Sequence, residues 1–307
     1  MSEILKYGII GAGHLGNFHI QQLNKNHNVK LIGVYDLLDD NSLKLSKKYN
    51  ITQYTSLNKI LEDADAVSIT TPASAHYEVT KMALINNCHV FVEKPFTKNI
   101  QEGEKLIDLQ KLNKLKVQVG HIERFNAAFQ HYYNTRPKPL FIESHRLCSY
   151  NERGLDVDVI LDLMIHDIDL ILLLIKSPIQ SINASGTSIL SSSLDMVNAR
   201  IQFKQNITVN LTASRISTKQ MRQMRIFESN QYSMIDFQNQ SLNHWNIDKN
   251  KQLKEKSINI KPVNALYEEL NMFINSIKND LPEQVTTGEA LKALKVACLI
   301  RDIIEKQ

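Results

Sequence analysis

Over roughly its first 120 residues the chain alternates short apolar runs with stretches of helical period. Runs rich in β-branched residues predict strands, and the amphipathic stretches between them predict helices. The predicted strands are residues 6–10, 29–36, 66–71, 89–93 and 116–120, and the predicted helices are residues 15–26, 43–49, 57–61, 75–86 and 100–112. Strands separated by helices of this length indicate βαβ units and a doubly wound parallel sheet.

The pattern changes beyond residue 120. Residues 198–213 alternate strictly between apolar and polar side chains around a turn at Gln205-Asn206, which predicts an antiparallel hairpin with one buried face. The other expected elements are an extended run at 140–149, a buried helix at 159–174, a second hairpin around 229–230, an irregular polar stretch at 238–260, and helices at 264–277 and 288–305.

A parallel half followed by an antiparallel half predicts an α/β protein of two domains, residues 1–120 and 121–307. The length of 307 residues accommodates two domains. Apolar residues make up 43% and charged residues 22%, fractions that argue against wholesale disorder. The net charge of +4 is too small and too dispersed to indicate nucleic-acid binding.

Three features bear on the cellular compartment. The three cysteines match no zinc or disulfide spacing, which favours free thiols in a reducing compartment. The most apolar stretch, residues 159–175, carries several ionisable residues and is therefore not expected to span a membrane. The first residues contain no leader pattern. The expected location is the cytoplasm.

Residues 11–16 read Gly-Ala-Gly-His-Leu-Gly, between a predicted strand and a predicted helix. Gly11 permits a tight turn, Gly13 lets the backbone approach a pyrophosphate, and Gly16 lets helix and strand pack closely. Twenty residues after Gly16, Asp36 ends the next strand, where its carboxylate would accept hydrogen bonds from ribose hydroxyls. That carboxylate would repel a 2′-phosphate, so the sequence predicts a Rossmann domain that binds NAD.

Glu93-Lys94-Pro95 lies at the carboxyl end of a predicted strand, the edge at which open α/β sheets bind ligands. Lys94 is therefore expected to face the cofactor. A surface lysine ahead of a helix is the alternative from these three residues alone.

Asp162, His166 and Asp169 share one face of the predicted apolar helix. A carboxylate one turn from an imidazole can orient the ring and raise its basicity, which is typical of a general base. A structural Asp–His pair in the core is the alternative. A zinc site is less favoured, since the sequence shows no third ligand.

Together these motifs resemble the Gfo/Idh/MocA oxidoreductase family. The resemblance rests on the glycine motif followed by His19, on Thr71-Pro72 with His76, on Glu93-Lys94-Pro95 and on the helix with Asp162, His166 and Asp169. It implies an N-terminal Rossmann domain and a C-terminal α/β domain with an open, mostly antiparallel sheet. It also implies NAD(P)-dependent chemistry on a sugar or polyol, a substrate between the domains, and a homodimer or homotetramer.

The resemblance also implies roles for individual residues. The implied catalytic residues are Lys94, Asp162 and His166. The predicted cofactor-binding residues are Gly11, Gly13, His14, Leu15, Gly16, Asp36, Thr71, Pro72, His76, Glu93 and Lys94. No metal is expected.

A narrower set of residues, including 120–126, 156–159 and 213–217, resembles the branch of the family that oxidises the 3-hydroxyl of UDP-N-acetylglucosamine to a ketone. In that branch a partner aminotransferase aminates the ketone for 2,3-diamino sugars of lipid A. A UDP-sugar carries a pyrophosphate, for which His121, Arg124 and Arg153 are the predicted ligands and Arg146 and Arg215 further candidates. A dehydrogenase of a free polyol such as an inositol and a non-catalytic NAD-binding regulator are the alternatives.

Overall fold

The structure, a computed structural model, describes residues 4–151 and 156–307. The contacts divide the chain into two compact units. The first comprises the described residues as far as His121 together with Leu266–Leu294, and the second comprises Ile122–Ala265 and Lys295–Gln307. Within the described residues no helix is long and apolar enough to cross a membrane.

A parallel sheet forms the centre of the first unit. Its strands are β1 (Leu5–Ile10), β2 (Val29–Tyr35), β3 (Thr52–Tyr54), β4 (Ala66–Ile69), β5 (His89–Glu93) and β6 (Val117–Gly120). The helices that follow them are α1 (His14–Leu23), α2 (Asp39–Tyr49), α3 (Leu57–Asp63), α4 (His76–Ile85) and α5 (Ile100–Asn113). The strand order β3-β2-β1-β4-β5-β6 places the switch point between β1 and β4. The predicted doubly wound parallel sheet is confirmed.

Leu266–Leu294 return to the first unit, which the sequence-based division at residue 120 did not include. Helix α8 (Ala265–Lys278) lays its apolar face on the parallel sheet. The Phe273 ring lies 6.5 Å from the ring of Tyr7 and 5.8 Å from that of Phe91, each measured between centroids. Burial of an aromatic side chain of this size contributes about 1.5–3 kcal/mol. An amphipathic pattern shows which face a helix buries but not which sheet receives it, and the prediction missed the return for that reason.

The second unit is built on an eight-stranded sheet in the order β14-β13-β12-β11-β7-β10-β9-β8, as traced through the described residues. Strand pairs are antiparallel except for β7 with β10. The strands are β7 (Phe141–Leu147), β8 (Ile179–Thr187), β9 (Met196–Phe203), β10 (Ile207–Ser214), β11 (Met221–Glu228), β12 (Gln231–Asp236), β13 (Ser241–Ile247) and β14 (Leu253–Ile258). The expected mostly antiparallel sheet and both hairpins are confirmed.

The expectation of an irregular stretch at 238–260 is wrong, because β13 and β14 form a hairpin there. These strands lie at one edge of the sheet, where Lys254 and Lys256 are exposed and Leu242 is buried. Edge strands carry charged side chains that discourage pairing with other chains, so they lack the apolar alternation that identifies a strand. Strand β8 at the opposite edge also escaped prediction, because small and polar residues make up most of it and its apolar alternation is weak.

The described structure contains three further α-helices, besides short 3₁₀ helices at Ala73–Ala75, Ile122–Phe125 and Lys204–Asn206. The three α-helices are α6 (Ala127–Asn134), α7 (Ile165–Leu174) and α9 (Thr287–Glu305). Asn126 caps α6, because its side-chain oxygen accepts from the backbone N–H of Ala128 at 3.1 Å. Helix α7 continues a single π-helical turn, Ile160–Met164, so the predicted helix at 159–174 begins in a different geometry.

Candidate active site

The glycine loop after β1 has the steric properties that its motif predicts. Gly11 has a φ of +104°, and a Cβ there would lie 2.7 Å from the Thr70 carbonyl carbon. A Cβ on Gly16 would lie 2.0 Å from the Gly11 carbonyl oxygen. A Cβ on Gly13 would meet nothing within 4 Å, so open space lies beside that backbone. Gly11 and Gly16 are therefore needed for folding, whereas Gly13 leaves room for a ligand.

Helix α1 starts directly from this loop, and Gly13 is its N-cap residue without a side-chain cap. The first N–H groups of a helix have no intrahelical partner and carry the positive end of the helix dipole. They form a site for the phosphates of a dinucleotide. His14 and Leu15, both predicted to bind cofactor, are exposed on this first turn.

Asp36 closes the loop from the side of β2. One carboxylate oxygen accepts from the Ala12 backbone N–H at 2.6 Å, and the other accepts from that of Leu38 at 2.9 Å. The oxygen bound to Leu38 also accepts from the Asn41 side chain at 3.4 Å, but the other oxygen keeps a second lone pair, which leaves Asp36 able to accept from a ribose hydroxyl as well. The neighbouring Leu37 and Leu38 are largely exposed and offer a 2′-phosphate no positive charge.

Two loops at the carboxyl ends of β4 and β5 are joined by His76. Its ring is buried, with Nδ1 2.7 Å from the Pro95 carbonyl oxygen and Nε2 3.0 Å from that of Thr71. A carbonyl oxygen only accepts, so both contacts are hydrogen bonds when the ring carries both protons. His76 therefore braces the Thr71-Pro72 loop against the peptide that follows Lys94. Its predicted contact with the cofactor stays a prediction.

Lys94 follows β5 directly and is half-buried. Glu93, its neighbour in the chain, is buried and accepts from His19 Nε2 at 2.9 Å. Burial opposes ionisation of Glu93, but the hydrogen bond from His19 and the neighbouring His19, Lys94 and His76 outweigh it and lower its pKa. The carboxylate that precedes the predicted catalytic lysine in the chain is therefore close enough for the two charges to act on each other. The sequence offered His19 only as part of a motif, without this contact.

Asp162 and His166 lie in the second unit, at the start of the apolar helix. Asp162 belongs to the π-helical turn, and His166 is the second residue of α7. The i,i+4 prediction assumed an α-helical turn throughout, so the π-turn alters its geometric premise. π-Turns of this kind are frequent at functional sites. Asp158 caps this turn by accepting from the backbone N–H groups of Ile160 and Leu161, each at 3.0 Å.

Two buried arginines bind carboxylates that lie near the start of α7. Arg124 donates to Asp169 through Nε at 2.7 Å and Nη2 at 2.6 Å. Arg146 donates to Asp167 through Nε and Nη2, both at 3.0 Å, and to Glu123 through Nη1 at 2.7 Å. Burial favours the neutral form of Arg146, but the charges of Asp167 and Glu123 outweigh it and raise its pKa. These bidentate pairs position the helix that carries His166.

Arg215 follows β10 and is buried. Its Nη2 donates to the Val157 carbonyl oxygen at 2.9 Å, whereas Nε and Nη1 have no hydrogen-bond partner among the described residues. Cys148, at the end of β7, lies close enough to both Arg215 and Asp162 for their charges to act on its thiol. Burial and Asp162 raise the pKa of Cys148, and Arg215 is among the cations that oppose this.

The predicted substrate ligands have different environments. His121 is buried after β6, and Arg124 is engaged with Asp169. Arg153 lies outside the described residues. The role of all three in substrate binding stays a prediction. In the described parts of the chain no group of three or more His, Cys, Asp or Glu side chains could hold a metal ion.

Comparison with known proteins decides the family. Residues 5–121 match the family described as "Oxidoreductase family, NAD-binding Rossmann fold", and residues 116–231 match the "GFO/IDH/MocA C-terminal domain". The chain belongs to the Gfo/Idh/MocA oxidoreductase family. It is an oxidoreductase, and NAD is its cofactor. The open space at Gly13 and the uncapped N-terminus of α1 fit that cofactor.

One relative matches almost the whole chain. The UDP-N-acetylglucosamine 3-dehydrogenase of Acidithiobacillus ferrooxidans is 31% identical over 98% of this chain and 97% of its own length. Its solved structure superposes with a TM-score of 0.93 over 99% of both chains. An NAD-binding protein from Listeria innocua, at 20% identity, has a TM-score of 0.87 over 99% of this chain and 96% of its own, which shows the shared fold.

Proposed function

We propose that this protein is an NAD-dependent dehydrogenase that oxidises a ring hydroxyl of a nucleotide sugar to a ketone. The proposed substrate is of the UDP-N-acetylglucosamine type, and the proposed position is the 3-hydroxyl. The observation that carries the proposal is the 31% identity to the Acidithiobacillus ferrooxidans enzyme across both units, including the second unit with Asp162 and His166. Similarity confined to the Rossmann domain would support the cofactor alone.

The chemistry is assigned to three residues. His166 removes the proton of the hydroxyl group, and Asp162 orients the imidazole. Lys94 donates a hydrogen bond to the same oxygen as it becomes a carbonyl. NAD, when bound, would supply the acceptor for the hydride that the ring carbon loses. The proton on oxygen and the hydride on carbon leave together as a C=O bond forms, so the step is balanced without another reactant.

The anionic part of the substrate is assigned to Arg215. Two of its guanidinium nitrogens have no partner among the described residues, and a buried donor left in this state costs about 1–3 kcal/mol. A phosphate oxygen of the substrate would satisfy them. Arg124 and Arg146 already bind carboxylates, which favours Arg215 over both for this role.

The deciding experiment follows NADH formation with purified protein, NAD and UDP-N-acetylglucosamine. A ketone-consuming aminotransferase and glutamate are added to draw the reaction forward. We expect NADH formation with the UDP-sugar and none with free N-acetylglucosamine or myo-inositol. Turnover of a free polyol alone would refute the nucleotide-sugar proposal, and NAD binding without turnover of any of these would favour a regulator.

Variants then test the assigned roles. We expect Lys94→Ala and His166→Ala each to lower kcat by roughly two to four powers of ten while NAD affinity stays close to that of the wild type. Lys98→Ala and His131→Ala are the matched controls, since both side chains are exposed. Turnover at the wild-type rate in either catalytic variant would remove that residue from the mechanism.

The proposal extends to the setting of the reaction. A 3-keto nucleotide sugar is a substrate for amination, so we place an aminotransferase after this enzyme. We also propose a homodimer or homotetramer and a cytoplasmic location, where NAD is available. Light scattering of the purified protein and fractionation of cells test these two statements.

A further inference from the structure

Four polar side chains form one continuous hydrogen-bonded chain in the interior of the first unit. Tyr7 Oη lies 3.0 Å from Ser68 Oγ, Ser68 Oγ lies 3.0 Å from His19 Nδ1, and His19 Nε2 lies 2.9 Å from Glu93 Oε1. Tyr7, Ser68 and His19 are inaccessible to solvent, and Glu93 is 9% exposed. The chain, which we call the His19 relay, ends on the residue that precedes Lys94.

The direction of each hydrogen bond in the His19 relay follows from the groups involved. The Glu93 carboxylate only accepts, so His19 Nε2 carries a proton. Burial raises the pKa of Tyr7, which keeps its hydroxyl protonated. If Tyr7 donates to Ser68 and Ser68 donates to His19 Nδ1, every donor has an acceptor. If Nδ1 carried a proton as well, Ser68 Oγ would accept from both Tyr7 and His19, and its own buried O–H would have no acceptor in the relay, at a cost.

The relay therefore holds the His19 ring in one orientation, with its Nε2–H directed at Glu93. Its members come from β1, α1, β4 and the end of β5, so rigid elements hold each one. Beside Glu93 on β6, a Cβ on Gly120 would lie 2.9 Å from Glu93 Oε2, which shows how closely the carboxylate is enclosed. Three charged or titratable groups act on Glu93: His19 from α1, His76 from α4, and Lys94, which follows Glu93 in the chain.

We propose that His19 is a positioning residue for Lys94 and acts through Glu93. His19 fixes the Glu93 carboxylate in one orientation, and that carboxylate holds the adjacent Lys94 as an ammonium directed at the substrate. The proposal rests on the catalytic role proposed for Lys94. It assigns a function to a residue whose role neither the sequence nor the family comparison specifies.

Two amide substitutions at His19 separate positioning from packing. The Gln amide in His19→Gln reaches the position of Nε2 and can donate to Glu93. The Asn amide in His19→Asn reaches the position of Nδ1 and is too short for that contact. We expect His19→Asn to lose roughly ten- to a hundredfold in kcat, and His19→Gln to recover most of this loss. The KM for NAD should be nearly unchanged in both.

A merely structural role predicts a different result. In that case kcat would fall equally in His19→Gln and His19→Asn and would follow the loss in Tm. That outcome overturns the proposal. Because both variants retain a polar side chain of moderate size, the comparison remains valid even if His19→Ala fails to fold.

A second measurement does not depend on the substrate. Trace acetylation of the NAD-bound protein with acetic anhydride, read by mass spectrometry, gives the pH midpoint at which Lys94 reacts. We expect this midpoint to be lower in Glu93→Gln than in the wild type, because the variant removes the neighbouring negative charge. The exposed Lys98 serves as the internal control and should not change.

These two measurements separate the two proposals. A shifted Lys94 midpoint without turnover of any UDP-sugar would support the relay and refute the proposed substrate. An unchanged midpoint in Glu93→Gln, in protein that turns over the UDP-sugar, would refute the relay and leave the proposed function intact.

Discussion

The two units hold their functional side chains by different means. In the first unit, Asp36 and His76 bond to backbone N–H and carbonyl groups at the ends of parallel strands. In the second unit, the helix that carries His166 is held by Arg124 and Arg146, which lie 45 and 21 residues away in sequence from the carboxylates they bind on it. Backbone geometry creates the first site, whereas paired charges hold the second.

The difference has an energetic consequence. A backbone turn tolerates loss of a neighbouring side chain as long as its glycines are kept. A buried ion pair does not, because removal of one partner leaves an uncompensated charge in the interior. The second unit should therefore be the more sensitive to single charge deletions, and the first to substitutions at glycine.

The largest expected effect is that of Arg146→Met. The variant leaves Glu123 and Asp167 buried without their cation, so we expect a loss of about 3–5 kcal/mol in the free energy of unfolding. Urea denaturation followed by circular dichroism measures it. Arg225→Met, which breaks a partly exposed pair with Glu143, is the control and should cost about 0–1 kcal/mol. Equal losses would show that burial of the Arg146 pairs is energetically irrelevant.

Two glycine variants test the opposite half of the comparison. Gly16→Ala places a methyl group 2.0 Å from the Gly11 carbonyl oxygen, so we expect it to lower the stability of the first unit by roughly 1–3 kcal/mol. Gly13→Ala meets no atom within 4 Å, so stability should be retained while the methyl group occupies the space for the pyrophosphate. Calorimetry should then show NAD binding weakened roughly tenfold or more. Full NAD affinity in Gly13→Ala would place the pyrophosphate elsewhere.

The difference between backbone-built and charge-held sites also explains which parts of the fold and of the site could be predicted from the sequence. The glycine motif, Asp36 and Lys94 are recognisable because each acts through its place at a strand end, and strand ends follow from local apolar periodicity. The partners of Arg124, Arg146 and His19 come from distant parts of the chain, and nothing in local spacing indicates which charges will meet. The return of α8 to the first unit and the edge strands β13 and β14 were missed for related reasons.

Arg215→Met asks whether a charge in the second unit binds substrate instead of a neighbour. Among the described residues the wild-type guanidinium donates one hydrogen bond, to the Val157 carbonyl oxygen, so the variant should lose little stability. We expect the KM for the UDP-sugar to rise roughly tenfold, with a small change in kcat. Steady-state kinetics measures this, and the exposed Arg222→Met is the control. A large loss of stability with unchanged KM would show that Arg215, like Arg124 and Arg146, has a structural role.

The smallest effect concerns alkaline pH and a thiol of the first unit. Cys88 is inaccessible to solvent and lies 3.2 Å and 3.3 Å from the carbonyl oxygens of Leu61 and Ala64. Burial, with a contribution from Asp65, raises the pKa of Cys88 to about 12. The pKa of this thiol is higher in the folded state than in the unfolded state. The protonated thiol therefore makes its full contribution to the free energy of unfolding below about pH 9, and this contribution is lost as the pH rises toward 12.

Cys88→Ala therefore removes part of the alkaline sensitivity of the protein. Between pH 7.5 and pH 10, the free energy of unfolding of the wild type should fall by about 1 kcal/mol more than that of the variant. Denaturant titrations at the two pH values measure the difference.

Cys298→Ala is the matched control from the second unit, because Arg301 donates to that sulfur at 3.5 Å and partly offsets the rise that burial causes in its pKa. Its effect on the alkaline slope should be smaller, since a nearby cation stabilises the thiolate in the folded state as water does in the unfolded state. Equal slopes in both variants would show that the two units do not differ in this respect.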